Sequence, residues 1–347
     1  MLTTEEIEKL CVAGSLAPSG GNAQPWRVTV SDTRMEIRVD ADRGSFLDVG
    51  GYAGLFAVGC FAQNVAIAAG TRGLSNTVTV DDGIAVVTFT GRHDPRRDEL
   101  YDCLPERVTN RRLHEGAPLA DDAVRRLVDA AGGMVTVATV STVDGKAAVA
   151  RALGAADALR MRHPVMFADM VREMRWSERE TRDERDGLDL ATLELPASTL
   201  RLLALLRRFP RLRRLLPAAR LGDTARTLVL GCSHVCCLAI PGPLEPWKVL
   251  TAGMAMQRLW LTATRDGIGV HPWTVSTLQL IRLESFGGEG FSEPEREEVK
   301  RFGAELRAAF GLQPEQIPVF VFRLSKAPPP TARSLRRPWQ SYTTIGG

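Results

Sequence analysis

The sequence predicts an α+β fold in which antiparallel strands carry helices on their faces, and three observations lead there. "WRVTV" and "RMEIRVD" read as one strand pair joined by the polar turn Ser31-Asp32-Thr33, and "NTVTVDDGIAVVTFTG" as a second pair turning at Asp81-Asp82-Gly83. An apolar helix over residues 52–70 separates the two pairs. Downstream, helices predicted over 121–131, 146–162, 251–265 and 293–310 mix with strands in "MVTVATV", "TLVLGCSHVCCLAI" and "IPVFVFRL", without the regular alternation of a doubly wound sheet. A first helix is expected over 4–16, because Thr3 and Glu6 have capping-box spacing and Ile7, Leu10 and Cys11 follow at helical intervals. Pro18 and the pair Gly20-Gly21 stop it.

Composition bounds the function. A chain of 347 residues, 44% hydrophobic and 24% charged, buries a sizeable core in one large or two ordinary domains. Its 44 basic and 41 acidic residues leave a formal charge of +3, too balanced for a general nucleic-acid binder. The N-terminal stretch "MLTTEEIEKL" carries acids where a secretory signal carries bases, and the apolar run over 55–69 is broken by Gly59, Gln63 and Asn64. The expectation is a cytoplasmic protein without a membrane span. Six cysteines are too few for a disulfide scaffold and are expected as reduced thiols.

Residues 163–226 differ in character: seven arginines lie between Arg201 and Arg220 among leucines. Such a pattern fits a basic amphipathic helix pair on a membrane or nucleic acid. It also fits a helical surface insertion whose leucines face the body while the arginines stay in water, and the second reading, a lid, is the expected one.

The chain also repeats itself. "GCFAQNVAIAAGTRGL" (59–74) aligns without gaps on "GMAMQRLWLTATRDGI" (253–268), with identities at Gly59/Gly253, Gln63/Gln257, Ala69/Ala263 and Gly73/Gly267. An internal duplication would place a first half at 1–106 and a second at 107–347, the latter containing the insertion. A site between the halves would draw residues from both.

Three stretches carry chemistry. In "LAPSGGNAQPWRV" the glycines let main-chain N–H groups approach a ligand, and Ser19 and Asn22 add small polar groups; the same residues also suit a plain helix stop. In "ERVTNRRLHEG", Arg107, Arg111 and Arg112 surround Thr109 and Asn110, a phosphate cradle or a solvated basic turn. The tail supplies a further cluster in Arg333, Ser334, Arg336 and Arg337. "CSHVCC" would set Cys232, His234 and Cys236 on one strand face, but no fourth ligand is evident and a core role without metal is expected. No GxSxG, HExxH, Walker loop or strand-coupled GxGxxG is present, so no side chain is singled out as catalytic.

These stretches resemble the nitroreductase family. "APSGGNAQPWRV" is similar to its P-S-x-x-N-x-Q-P-W run, with Pro18, Ser19, Asn22, Gln24, Pro25 and Trp26 in place, and Arg107, Thr109 and Arg111 match its R-x-S/T-x-R phosphate motif, Leu113 replacing an aromatic. The arginine motif follows the asparagine motif here, an inverted order that, with "AGMAMQRLWLTATRDGIGV" and the tail "PPTARSLRRPW", resembles the long, duplicated Acg-like subgroup. The resemblance implies an antiparallel sheet flanked by helices, in a pseudo-dimeric monomer or a dimer. It implies noncovalent FMN, with the phosphate near Arg107, Thr109, Arg111, Arg112, Arg333 and Arg337 and the ring near Pro18, Ser19, Gly20, Asn22, Gln24, His271, Pro272 and Trp273. Trp176 and His234 are expected to wall the substrate pocket. NADPH or NADH would supply hydride for a small nitro, quinone or related acceptor. The alternatives are FMN sequestration without turnover, and an FMN-dependent oxidase or desaturase of a biosynthetic intermediate.

Overall fold

In the computed structural model, which describes residues 2–215 and 223–346, helix α1 (Thr4–Ser15) opens on the expected capping box. The Thr3 N–H donates to Glu6 Oε2 at 2.8 Å and the Glu6 N–H to Thr3 Oγ1 at 3.2 Å. Strands β1 (Trp26–Ser31) and β2 (Arg34–Val39) pair antiparallel, with β1 alternating buried and exposed from Trp26 onward. After α2 (Tyr52–Thr71), β3 (Leu74–Asp81) and β4 (Ile84–Arg92) turn through Asp82 and Gly83, both at positive φ, the geometry that a two-residue hairpin requires.

Short helix α3 (Cys103–Glu106) leads to the second half: α4 (Asp121–Ala131), β5 (Thr136–Val140) and α5 (Val143–Arg162). The insertion contributes α6 (Pro164–Glu173), β6 (Met174–Arg175), α7 (Glu178–Glu184), β7 (Leu188–Asp189), α8 (Ala197–Arg208) and α9 (Asp223–Leu230). Then come β8 (His234–Pro241), α10 (Pro246–Arg265), β9 (Gly269–Pro272), α11 (Val275–Phe286), α12 (Glu293–Phe310), β10 (Gln316–Ser325) and β11 (Thr343–Ile345).

The fold is α+β as expected, and its strands gather into two main sheets. The first runs β11-β1-β2-β4-β3 and the second β5-β8-β10-β9. The second is antiparallel throughout, but β11 joins the first in parallel, Val28 opposite Thr343. The chain's last strand thus crosses the expected boundary at 106/107. "TLVL", expected in the strand of "CSHVCC", instead ends α9, whose Ala225 and Val229 are buried one turn apart. Strand β8 starts at His234 and is buried from there to Ile240; Cys236 packs into one core and Cys237 into the other. Helix α11 escaped the sequence reading because buried Ser276, Thr277, Gln279 and Arg282 blur its apolar period.

The helices that carry the sequence repeat, α2 and α10, pack directly on each other. A Cβ on Gly59 would strike the carbonyl oxygen of Leu250, and one on Gly253 the carbonyl oxygen of Phe56. Both pairs keep the register of the repeat, 59 with 253 and 56 with 250, so each helix receives the other through the same contact, as at an isologous interface. Beside it, Gln257 Nε2 donates to Asn64 Oδ1 at 2.7 Å, and Asn64 Nδ2 to the Ala13 carbonyl at 3.1 Å. The helical segment Val49–Thr71 is long and apolar enough to cross a membrane, but 83% of its window is buried inside this protein.

The described part of the insertion has its own cluster around Phe167, Met170, Met174 and Leu206. Its leucines do not simply face the body. On α8 only Leu206 is buried, while Leu202 and Leu205 are 40% and 45% exposed. A hollow lies beneath α8, lined by Leu202, Leu203 and Leu206, while Leu205 stands outside it. Arg220 lies outside the described residues.

The helix crossing has no room for a methyl group. Gly253→Ala, and equally Gly59→Ala, is expected to push the helices apart at a cost of about 1–3 kcal/mol or more, read as a lowered midpoint in thermal or urea unfolding.

Candidate functional site

The hollow is a cavity of about 2060 Å³ walled by the turn after α1, the segments 107–112 and 271–273, the insertion and the C-terminal tail. The turn after α1 forms one edge. Gly21, Asn22 and Gln24 all take positive φ, at 58°, 53° and 52°, and the strain at the two non-glycine residues is held by side-chain bonds. Asn22 Nδ2 donates to the carbonyls of Gly187 (3.0 Å) and Leu335 (3.2 Å), while its Oδ1 accepts from Arg336 Nη1 at 2.9 Å. Gln24 Nε2 donates to the Arg185 carbonyl, and its Oε1 accepts the Arg337 N–H, each at 2.9 Å. The Asn22 and Gln24 amides therefore tie insertion and tail to the turn, and Gln24 is fully buried away from the cavity. Pro18, Ser19, Gly20 and Asn22 do line it. The Ser19 Oγ accepts the Gln24 N–H at 3.0 Å, and Gly20 faces open space where a Cβ would stand.

The second edge is the arginine motif. The N–H of Asn110 donates to the Val270 carbonyl at 3.0 Å and Thr109 bridges Val270 in parallel, which sets the motif beside β9. Arg107 is buried, donates to the Leu16 carbonyl at 2.8 Å and stacks on Trp260 with 4.6 Å from guanidinium carbon to ring centroid. Burial, helped by Arg336 and Arg333, pulls its guanidinium down to about 9. Burial likewise lowers Arg111 and Arg336 to about 10. Arg111 donates to the Thr192 carbonyl at 2.8 Å, and Arg336 to those of Ser15 (2.6 Å) and Ala17 (3.4 Å). Among the described residues none of these three guanidiniums pairs with a carboxylate, although all three line the cavity. Desolvated cations held on neutral carbonyls favour any anion that reaches them.

The third wall is the segment 271–273 with α5. Arg323, fully buried in an otherwise apolar strand, donates from Nε to His271 Nδ1 at 3.1 Å. That bond leaves the proton on His271 Nε2, and burial beside Arg323 and Arg111 keeps the ring neutral, well below its ordinary value. Trp273 Nε1 donates to Asp157 Oδ2 at 2.9 Å. Burial raises Asp157 from 3.8 to about 6, against the smaller opposing pulls of Trp273 and Arg160.

The structure gathers most of the predicted residues, with distinctions among them. Thr109, Arg112, Pro272, Trp273, Arg333 and Arg337 also line the cavity. Arg333, however, is exposed and paired with Glu106 at 3.1 Å, and Arg337 donates to the Gln24 carbonyl at 2.8 Å. Trp176 lies off the cavity, its indole bonded to the Val171 carbonyl at 3.1 Å and covered by Arg207. His234 is buried off the cavity against Ser233 Oγ at 2.9 Å, because it opens a strand enclosed on both faces. Among the described residues no group of His, Cys, Asp and Glu is placed to hold a metal ion. Sequence reading missed Arg323 and Asp157; the signals were a lone charge inside "VFVFRL" and a lone acid inside "LGAADALR".

Fold and site together define an α+β protein with a large cavity whose wall carries three desolvated guanidiniums. Residues 1–47, which hold α1, the turn and the first hairpin, match the model of the nitroreductase family. An uncharacterised protein of Mycobacterium tuberculosis (strain CDC 1551 / Oshkosh), MT1398, is 28% identical over 349 aligned positions, covering 96% of this chain and 47% of the relative. The chain thus spans about half the length of the curated relative it matches. Among solved structures, the FMN-dependent nitroreductase NfnB from Mycobacterium smegmatis in complex with NADPH is similar at a TM-score of 0.42 and 17% identity, over 71% of this chain and 96% of that one. A nitroreductase with bound FMN from Bacteroides fragilis is similar at 0.35 and 11%, over 69% and 94%.

Two outcomes test the site as built. Arg336→Met removes the donor that gathers Ser15, Ala17 and Asn22, so a loss of about 2 kcal/mol and faster proteolysis of the tail are expected. Asp157 binds its proton more tightly folded than unfolded, so its stabilising contribution is complete below about pH 4 and is lost as pH rises towards about 6. Thermal melts across that range should show Asp157→Asn gaining on the parent protein as pH rises.

Proposed function

We propose that this chain is an FMN-dependent oxidoreductase of the nitroreductase family, of the Acg-like type, reducing a small nitro, quinone or related acceptor with NADPH or NADH. The observation that carries the reading is the group Arg107, Arg111 and Arg336: three desolvated guanidiniums at a cavity wall, hydrogen-bonded to carbonyls and, among the described residues, to no carboxylate. A ligand phosphate completes that charge balance, and Thr109 adds a hydroxyl from the same motif. Arg107, Thr109 and Arg111 would hold the phosphate end of FMN, and Ser19, Gly20 and His271 Nε2 would meet its ring. When bound, FMN supplies the hydride chemistry, which accounts for a site without a catalytic dyad.

The chain's own residues then bind, orient and shield. Asn22 and Gln24 hold the turn rigid through five side-chain hydrogen bonds, so Gly20 presents backbone with no side chain in the way. His271 stays neutral and offers a fixed N–H because Arg323 occupies its other nitrogen. Leu202, Leu203 and Leu206 of α8 wall the cavity with apolar surface, which keeps water from the reacting face.

Sequestration of FMN without turnover is the second reading, favoured by the insertion that walls the cavity. Its volume speaks for turnover: about 2060 Å³ exceeds the roughly 300–1,000 Å³ of ordinary small-ligand pockets and leaves space for a second molecule beside the cofactor.

The purified protein is expected to show a flavin spectrum that bleaches on anaerobic addition of NADPH or NADH and recovers with a quinone. Arg107→Gln and Arg111→Gln should each weaken FMN binding by roughly ten- to a hundredfold. A colourless protein that takes up no added FMN defeats the reading, and bound FMN that nicotinamide never bleaches turns it to sequestration.

A further inference from the structure

Asp157 is a cavity-lining acid that the reaction proposed above leaves unused. It sits on α5 with Arg160 three residues on and Met161 four residues on, and all three line the cavity from one helix face. Its one hydrogen bond among the described residues is the indole N–H of Trp273 at 2.9 Å. Arg160, the neighbouring cation, is committed elsewhere, its Nη2 donating to Glu173 Oε2 of α6 at 2.9 Å.

The other enclosed acids of the cavity wall are accounted for. Asp40 pairs with Arg27 at 3.0 Å and Asp186 with Arg43 at 2.8 Å; Asp48 accepts the N–H groups of Ala53 and Gly54 as it caps α2. Among the described residues Asp157 pairs with no cation and caps no helix, and only one of its oxygens is taken, by the Trp273 indole. Burial has already raised its proton affinity, a sign that the ionised form lacks solvation, and the cations of the arginine cradle do not act on it. Apolar side chains, among them Met161, Met170, Leu206 and Leu278, make up much of the remaining wall.

We propose that Asp157 is the recognition point for a substrate that carries a cationic nitrogen on an apolar body, an amine in the simplest case. The cavity then has two poles: guanidiniums that take the cofactor's phosphate, and one carboxylate that takes the substrate's ammonium group. An ammonium N–H donates to the unengaged Asp157 oxygen while Trp273 keeps the other, and the hydrocarbon body lies against methionine and leucine. This deepens the oxidoreductase reading by naming the substrate class of the same cavity, and it rests on that reading for the reaction.

The test uses a matched pair of probes, 4-nitrophenethylamine and the neutral 1-nitro-4-propylbenzene, on the full chain at pH 7.5. Binding is followed by quenching of tryptophan fluorescence, with and without added FMN, and KM and kcat are then measured on the flavin-loaded protein. The amine is expected to bind roughly ten- to a hundredfold more tightly than its neutral partner. Asp157→Asn keeps an acceptor for Trp273 and should erase that preference, leaving the neutral probe's Kd and the flavin content unchanged; Asp157→Glu should retain part of it. Equal binding of the two probes by the parent protein, or a preference that survives in Asp157→Asn, overturns the proposal. Failure of the oxidoreductase reading would show separately, as a missing flavin spectrum with the amine preference intact in the flavin-free protein.

Discussion

Everything in this molecule hangs on the approach of α2 to α10 at Gly59 and Gly253. Two helices that touch through backbone hold their flanking sheets at a fixed spacing, because neither has a side chain to yield. The cavity's walls come from the turn after α1 on one side and from 107–112 and 271–273 on the other. The buried bond between Gln257 and Asn64 fixes the register of the same pair, so the crossing resists sliding as well as separation.

Charge is handled differently at the surface and by four of the most buried arginines. Exposed arginines such as Arg92 and Arg126 pair with acids, while Arg107, Arg111, Arg323 and Arg336 are kept on carbonyls, a hydroxyl and a histidine. Neutral partners satisfy a guanidinium's donors without cancelling its field. The cavity therefore retains a positive wall in a protein whose total charge is only +3.

Much of this was legible in the sequence, and the limits have physical causes. Hairpin turns, the capping box and the helices at Asp121–Ala131 and Glu293–Phe310 are local, and they appear where their spacing places them. The glycine identities of the repeat mark the helix contact because close approach demands a missing side chain. What could not be read was long-range. Asn22 and Gln24 looked like ligand contacts, yet they bond segments more than 150 residues away, and no local pattern announces such a partner. Trp176 and His234 were misplaced for a related reason: an aromatic or a histidine in a promising stretch says nothing of which side of a helix or sheet the cavity will open on.

The tail has a consequence for assembly. Residues 333–337 clasp the turn, and β11 then adds to the sheet beside β1, so the cavity's two edges and its clasp all belong to one polypeptide. Closing it is a unimolecular event. A site shared between separate subunits thins out on dilution, whereas this one keeps the same effective concentration of its parts at any protein level. A substitution falls on one wall only, and the two sides can specialise independently.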